Sequence, residues 1–210
     1  HSVAGQAWFQ PVEGPGKIQY QDSKKDFIDF NIQKLLPHKF SEYGPAMAVG
    51  DVNGDGIDDI VIGASGLSPS TILLQQKDGR FLSGNILPGE NKKNWDDMGL
   101  LLFDADNDGD LDLYVAAGGY ASIPNGPAYQ DKLYLNDGKG NFTLDTAALP
   151  QNLTSKSCVR AVDYDHDGDL DLFVAGRVLP WNYPKPVSCA IYRNDTKDGK
   201  VKFTDVTASV

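Results

Sequence analysis

Three short stretches place oxygen-bearing side chains at alternating positions: "DVNGDGIDD" (51–59), "DADNDGDLD" (104–112) and "DYDHDGDLD" (163–171). Counted from the first aspartate, positions 1, 3 and 5 are Asp51, Asn53 and Asp55; Asp104, Asp106 and Asp108; Asp163, Asp165 and Asp167. Position 9 is Asp59, Asp112 or Asp171, and the backbone carbonyl of position 7 (Ile57, Asp110 or Asp169) offers a further oxygen. Position 6 is Gly56, Gly109 or Gly168, a residue that permits the φ > 0 turn wrapping such a loop. Hard oxygens with no His or Cys among them suit Ca²⁺ at ~2.3–2.6 Å, whereas Mg²⁺ demands a stricter octahedron and retains water. Without a cation, carboxylates crowded this way repel and raise one another's pKa. One such loop is explained as an ordinary turn, because Asp, Asn and Gly favour turns. Three with one ligand pattern point to up to three Ca²⁺ ions. An EF-hand is excluded, since position 12 is Ile62, Val115 or Val174 instead of an acid.

Each loop runs directly into a strand. "AVGDVNGDGIDDIVIG" (48–63), "LLFDADNDGDLDLYVA" (101–116) and "RAVDYDHDGDLDLFVA" (160–175) superpose without gaps. A hairpin pattern follows each: "TILLQQKDGRF", "KLYLNDGKGNF" and "AIYRNDTKDGKVKF". Leu-Pro recurs at Leu36-Pro37, Leu87-Pro88 and Leu149-Pro150. One unit is therefore strand, acidic loop, strand, variable loop, strand, tight turn, strand. Four antiparallel strands in about fifty to sixty residues match a β-propeller blade, with a β-sandwich as the second choice. The expectation is an all-β propeller segment: a partial blade over 1–36, then blades over 37–88, 89–150 and 151–210. "DFIDF" (26–30) resembles "KFTDV" (202–206), which predicts strands at 17–20 and 26–30 and a segment of a longer protein.

The net charge of −10 is local, because the three loops hold fourteen of the 29 acidic residues. The acidity therefore does not describe the whole surface and is no guide to partners; no nucleic-acid partner is expected, and three Ca²⁺ would reduce the charge to −4. The longest wholly apolar run is "LLLF" (100–103), too short to span a membrane. Cys158 falls in strand 1 and Cys189 at strand 3 of one blade. Two inter-strand steps of ~4.8 Å put them beyond the ~7 Å reach of a disulfide, which predicts two free, buried thiols.

"DVNGDGIDDIVIG" resembles the FG-GAP repeat of integrin α-subunit propellers and its bacterial VCBS-type relatives. With "LYLNDGKGNF" and "FTDVT", the chain resembles secreted bacterial proteins related to the cartilage acidic protein family over nearly all of 17–210. The resemblance implies Ca²⁺ held by positions 1, 3, 5, 7 and 9, with Asn53 an allowed replacement at position 3.

Antiparallel topology puts the variable loops on the face opposite the acidic ones. Those loops hold Tyr120, Tyr129, Arg177, Trp181 and Tyr183, candidates for a face that binds a glycan or protein. The alternative is that Trp181 and the neighbouring prolines pack a long loop onto its own blade. No Ser/His/Asp or Cys/His constellation is marked, and a catalytic metal would need an open position beside an acid or base. The expected function is a non-enzymatic, calcium-stabilised binding or adhesion module, extracellular or in the cell envelope. The alternative is a propeller segment of a carbohydrate-active enzyme such as a polysaccharide lyase, with His38 and Arg177 as its candidates.

Overall fold

The computed structural model describes residues 9–11, 13–14, 16–18, 20–23, 26–87 and 93–210. Among the described residues, twelve strands form three antiparallel meanders. The first contains β1 (Met47–Gly50), β2 (Asp59–Ile62), β3 (Thr71–Gln75) and β4 (Phe81–Asn85). The second contains β5 (Asp96–Phe103), β6 (Asp112–Gly118), β7 (Lys132–Asn136) and β8 (Phe142–Asp145). The third contains β9 (Ser155–Val162), β10 (Asp171–Val178), β11 (Ala190–Asn194) and β12 (Phe203–Asp205). A parallel bridge, Gly118↔Lys156, joins the second sheet to the third. The fold is all-β and propeller-like.

Register shows that the gapless alignment of the repeats is structural. Val49 pairs Ile60, Leu102 pairs Leu113 and Ala161 pairs Leu172. In the next ladder Ile60 pairs Leu73, Leu113 pairs Tyr134 and Leu172 pairs Tyr192. Side chains alternate across each strand, so every sheet has one face toward its successor and one toward its predecessor. Val61 and Ile72 of the first sheet pack on Leu100, Leu113, Val115 and Tyr134 of the second. Phe103, Tyr114, Ala116 and Leu133 pack on Val159, Leu172, Val174 and Tyr192 of the third. The core therefore lies between sheets. β6, covered on both faces, is buried along its whole length.

Buried ion pairs also tie the sheets together. Lys93 contacts Asp97 on β5, and Asp97 Oδ2 accepts the Ala64 amide of the first sheet (2.8 Å) and the Ser70 hydroxyl (2.6 Å). Lys156 on β9 lies 3.2 Å from Asp131, which precedes β7 and accepts the Tyr114 hydroxyl (2.7 Å). Burial pushes the Asp131 carboxyl up and the Lys156 ammonium down, and each opposes the shift in the other.

Two expectations need correction. The described residues of 17–20 and 26–30 form no strand, and Asp29–Asn31 is a turn of 3₁₀ helix. The buried Asp29 carboxylate explains this, because its Oδ2 accepts the amides of Phe40 (2.5 Å) and Ser41 (3.0 Å) and folds the segment back on itself. Tyr20 and Asp22 attach to the first sheet through side chains, Tyr20 Oη donating to the Gly63 carbonyl (2.7 Å) and the Ser65 hydroxyl to Asp22 (3.0 Å). The cysteines are unpaired, with β10 separating β9 from β11, but both are exposed instead of buried. Cys158 occupies the place of Gly99, on the side of the third sheet that no further sheet covers.

Candidate metal centres

Each acidic loop joins the first strand of a sheet to the second. The first aspartate nucleates the turn by collecting backbone amides. Asp51 Oδ1 accepts Gly54 N (2.8 Å) and Asp55 N (3.2 Å), while Oδ2 accepts Gly56 N (2.8 Å). Asp104 takes Asp108 N and Gly109 N, and Asp163 takes Gly168 N. The glycine at position 6 has φ of 81°, 94° and 100° in Gly56, Gly109 and Gly168, as its role requires. Position 4 is also left-handed, at Gly54 (72°), Asn107 (61°) and His166 (64°). The sequence offered a cue in the Gly/Asn/His pattern there, since Gly and Asn tolerate that region.

Position 9 has a second task that spacing did not reveal. Asp59, Asp112 and Asp171 are buried, and each divides its two oxygens between backbone amides. One oxygen accepts the amide of loop position 2 (Val52, Ala105, Tyr164; 3.2, 2.9 and 3.1 Å). The other accepts the amide at the end of the third strand (Gln75, Asn136, Asn194; 2.8 Å each). A further link crosses between sheets. Asn136 Nδ2 donates to Val52 O in the preceding loop (2.8 Å), and Asn194 Nδ2 to Ala105 O (3.0 Å). Its trace in the sequence is the Asn-Asp ending shared by "LYLND" and "IYRND".

The carboxylates converge unequally. Oxygens of Asp104, Asp106 and Asp108 lie within 4.8 Å of one another, as do those of Asp163, Asp165 and Asp171. Among the described residues no such trio of acids forms at the first loop, where Asn53 stands at position 3. At position 5, Asp55, Asp108 and Asp167 each accept the amide of position 7, from Ile57, Asp110 and Asp169. The Asp169 side chain is drawn off to Asn107 of the second loop.

Two buried oxygens in these loops, Asp106 Oδ1 and Asp163 Oδ1, have no hydrogen-bond partner. A buried acceptor without a donor is costly, and a cation is what an all-oxygen donor set satisfies best. Desolvation, then the Asp108 charge, pushes Asp106 up. Desolvation also raises Asp59, Asp171 and Asp112, the last to about 6, although backbone amides pull each down. Asp51 goes the other way: burial works against ionisation, but four amides hold it below the ordinary value. The residues present therefore fit a divalent cation best at the second and third loops.

The face opposite the acidic loops differs from the expectation. Tyr120 and Tyr129 are fully buried, with hydroxyls donated to Gln33 and to the Ser122 carbonyl (2.9 Å). Trp181 donates Nε1–H to Tyr120 O (3.0 Å) and packs with Leu36, Phe40, Tyr120 and Val178. Arg177 stacks over Tyr43 at 3.9 Å, and Tyr183 lies 5.2 Å from Phe40. Residues 27–43 thus cover the aromatic loops, which form a floor for the chain's own segment. Of the five, only Tyr183 keeps substantial exposure. A cavity of about 340 Å³ remains beside this cover, lined by Phe27, Ser65, Leu67, Asn94, Asp96 and Ser122.

Stacked four-stranded meanders, each with an acidic turn between its first two strands, define a propeller-like repeat module of a kind that often binds ligands. The family model for the FG-GAP-like repeat matches residues 51–115 and 120–174, and the chain belongs to that family. No curated protein matches the sequence.

Proposed function

We propose that the chain is a calcium-stabilised binding module acting outside the cytoplasm, with protein or glycan as ligand and structural ions. The observation that carries this reading is the pair of carboxylate trios whose buried Asp106 Oδ1 and Asp163 Oδ1 lack donors. Asp104, Asp106 and Asp108, and Asp163, Asp165 and Asp171, would hold the ions. Asp112, Asp167 and the carbonyls of Asp110 and Asp169 would complete the two sets. Asp51, Asn53, Asp55, Asp59 and the Ile57 carbonyl form a weaker third site. A bound cation ties two strands of a sheet and stabilises the fold in proportion to its preference for the folded chain. The 340 Å³ cavity, where Phe27 and Leu67 stand beside Asn94 and Asp96, is the candidate ligand pocket. FG-GAP-like repeats are typically non-catalytic, in keeping with a binding role.

Calorimetric titration of chelator-treated protein with Ca²⁺ tests the metal reading, with two tight sites and one weaker site expected. Heat indistinguishable from buffer dilution would end it. A glycan array tests the ligand class. One contact favours an enzyme as the second reading: His38 Nε2 lies 2.6 Å from Tyr43 Oη, beneath the Arg177 guanidinium. A lyase built on it would release unsaturated uronate, and an absorbance assay on acidic polysaccharides decides between the two.

A further inference from the structure

A continuous row of hydrogen bonds runs beneath the acidic loops and joins all three. It starts at the Tyr164 amide, which donates to Asp171 Oδ2 (3.1 Å), while Asp171 Oδ1 accepts the Asn194 amide (2.8 Å). Asn194 Nδ2 donates to the Ala105 carbonyl (3.0 Å), and the Ala105 amide to Asp112 Oδ2 (2.9 Å). Asp112 Oδ1 accepts the Asn136 amide (2.8 Å), and Asn136 Nδ2 donates to the Val52 carbonyl (2.8 Å). The row ends where the Val52 amide meets Asp59 Oδ2 (3.2 Å). Every residue from Asp171 to Asp59 along it is buried. Away from water such bonds polarise one another, and breaking one leaves its partner unpaired. The row meets each loop at position 9 and at position 2, the residue between ligand positions 1 and 3. Each asparagine also donates to the position-8 carbonyl of its own sheet's loop, Leu111 at 3.1 Å and Leu170 at 3.3 Å. One side-chain amide thus grips two loops.

Resting on the metal reading above, we propose that cations bind the loops cooperatively, each filled loop raising the affinity of its neighbour through the asparagine they share. A cation held by Asp104 and Asp106 fixes Ala105 between them, and the fixed Ala105 carbonyl holds the Asn194 side chain. Asn194 in turn secures the Asp171 carboxylate and the Leu170 carbonyl, so the third loop has less ordering left to do when its own cation arrives. Asn136 plays the same part between the second loop and the first. Both cations of a pair favour the same placement of one side chain, which makes the coupling positive and reciprocal. An exposed link acts on the same pair as Asn194, because Asn107 at position 4 of the second loop donates to Asp169 at position 7 of the third. Cations interacting through their charges alone would do the reverse, each weakening the other. The sign of the coupling therefore separates the hydrogen-bonded row from bare repulsion.

Tyr164 supplies a reporter, since it is the one aromatic residue within the three acidic loops and sensitises the luminescence of a terbium ion bound beside it. Terbium titration of the chelator-treated chain, with the Tyr164→Phe signal subtracted, reads the third loop by itself. Asp106→Ala takes a ligand from the second loop and none from the third, yet it should weaken terbium binding at the third about fivefold or more. In a background of Asn107→Ala and Asn194→Ala, which removes both links, Asp106→Ala should cause no further loss. Circular dichroism checks the fold of that background, and the first comparison decides the sign of the coupling without it. Third-loop affinity that Asp106→Ala leaves unchanged or tightens overturns cooperativity while the metal reading survives, because terbium still binds. A fivefold loss that persists with both asparagines gone rejects the hydrogen-bonded row as its route. A wild-type chain that gives no terbium signal overturns the metal reading and the cooperativity together.

Discussion

The two ends of the same strands solve opposite problems. At the acidic end the loops are short, follow one pattern and keep carboxylates close without a basic partner. At the other end the loops are long and unlike one another, and two of the buried carboxylates have a lysine beside them, Asp131 with Lys156 and Asp97 with Lys93. The first end leaves two buried oxygens, Asp106 Oδ1 and Asp163 Oδ1, without donors, and in our proposal a cation from solution completes it. The second is finished by the chain, which lays residues 27–43 across it. On that proposal, repetition in sequence marks a shared external requirement, whereas divergence marks places where each sheet found its own internal partner.

The largest expected effect isolates the acidic end. A ligand at a hundredfold excess over Kd adds about 2.7 kcal/mol per site. At about 2–4 °C per kcal/mol for a chain of this size, filling all three loops should raise Tm by on the order of 20 °C. Calorimetry with Ca²⁺ and with chelator measures it, and matching melting curves would erase the contrast between the ends.

The opposite end is probed by Lys156→Met, which leaves Asp131 buried beside Tyr114 without its cation. The expected loss is about 3–5 kcal/mol by urea unfolding, equal in calcium and in chelator. A loss that vanished without calcium would mean that the two ends are not independent.

Asn194→Ala sharpens the comparison between sheets. It removes two donors, to Ala105 O and Leu170 O, for an expected cost of about 1–3 kcal/mol. Ala105 is position 2 of the second loop, so calcium affinity there should also fall while the first loop is unchanged. Titration of the variant reads both.

The smallest effect is a gain. His166 holds φ 64° where the first loop has Gly54, and the left-handed region costs a side chain about 1–2 kcal/mol. His166→Gly should stabilise the third loop by under about 1 kcal/mol once the added chain entropy of glycine is counted. A shift of Tm in the other direction would show that the imidazole makes a favourable contact.

Legibility in the sequence followed the same divide. The sheets, their register and the position-6 turns could be read because each rests on local rules repeated three times. Strand alternation, the glycine at φ > 0 and the gapless spacing of Asp51, Asp104 and Asp163 are of that kind. The misreadings all concern what covers what. "DFIDF" looks like "KFTDV", yet Asp29 accepts amides eleven and twelve residues on and turns the segment aside. Tyr120 and Tyr129 looked like a contact face because aromatic loops are sticky, and here Phe40 and Gln33 already meet that need. Cys158 reads as a buried thiol from its place in a strand, but its side of the third sheet is open. The double duty of Asp59, Asp112 and Asp171 was hidden because a carboxylate reads the same whether it faces a cation or two amides.

The asparagine latches also give the chain an order in time. The carbonyl of Val52 receives its donor from a residue 84 positions later, and that of Ala105 from one 89 positions later. At about 5–20 residues per second, a ribosome needs roughly 4–18 s to deliver either amide. Each turn therefore waits on its successor during synthesis, and a cell that slows translation midway prolongs the half-made state.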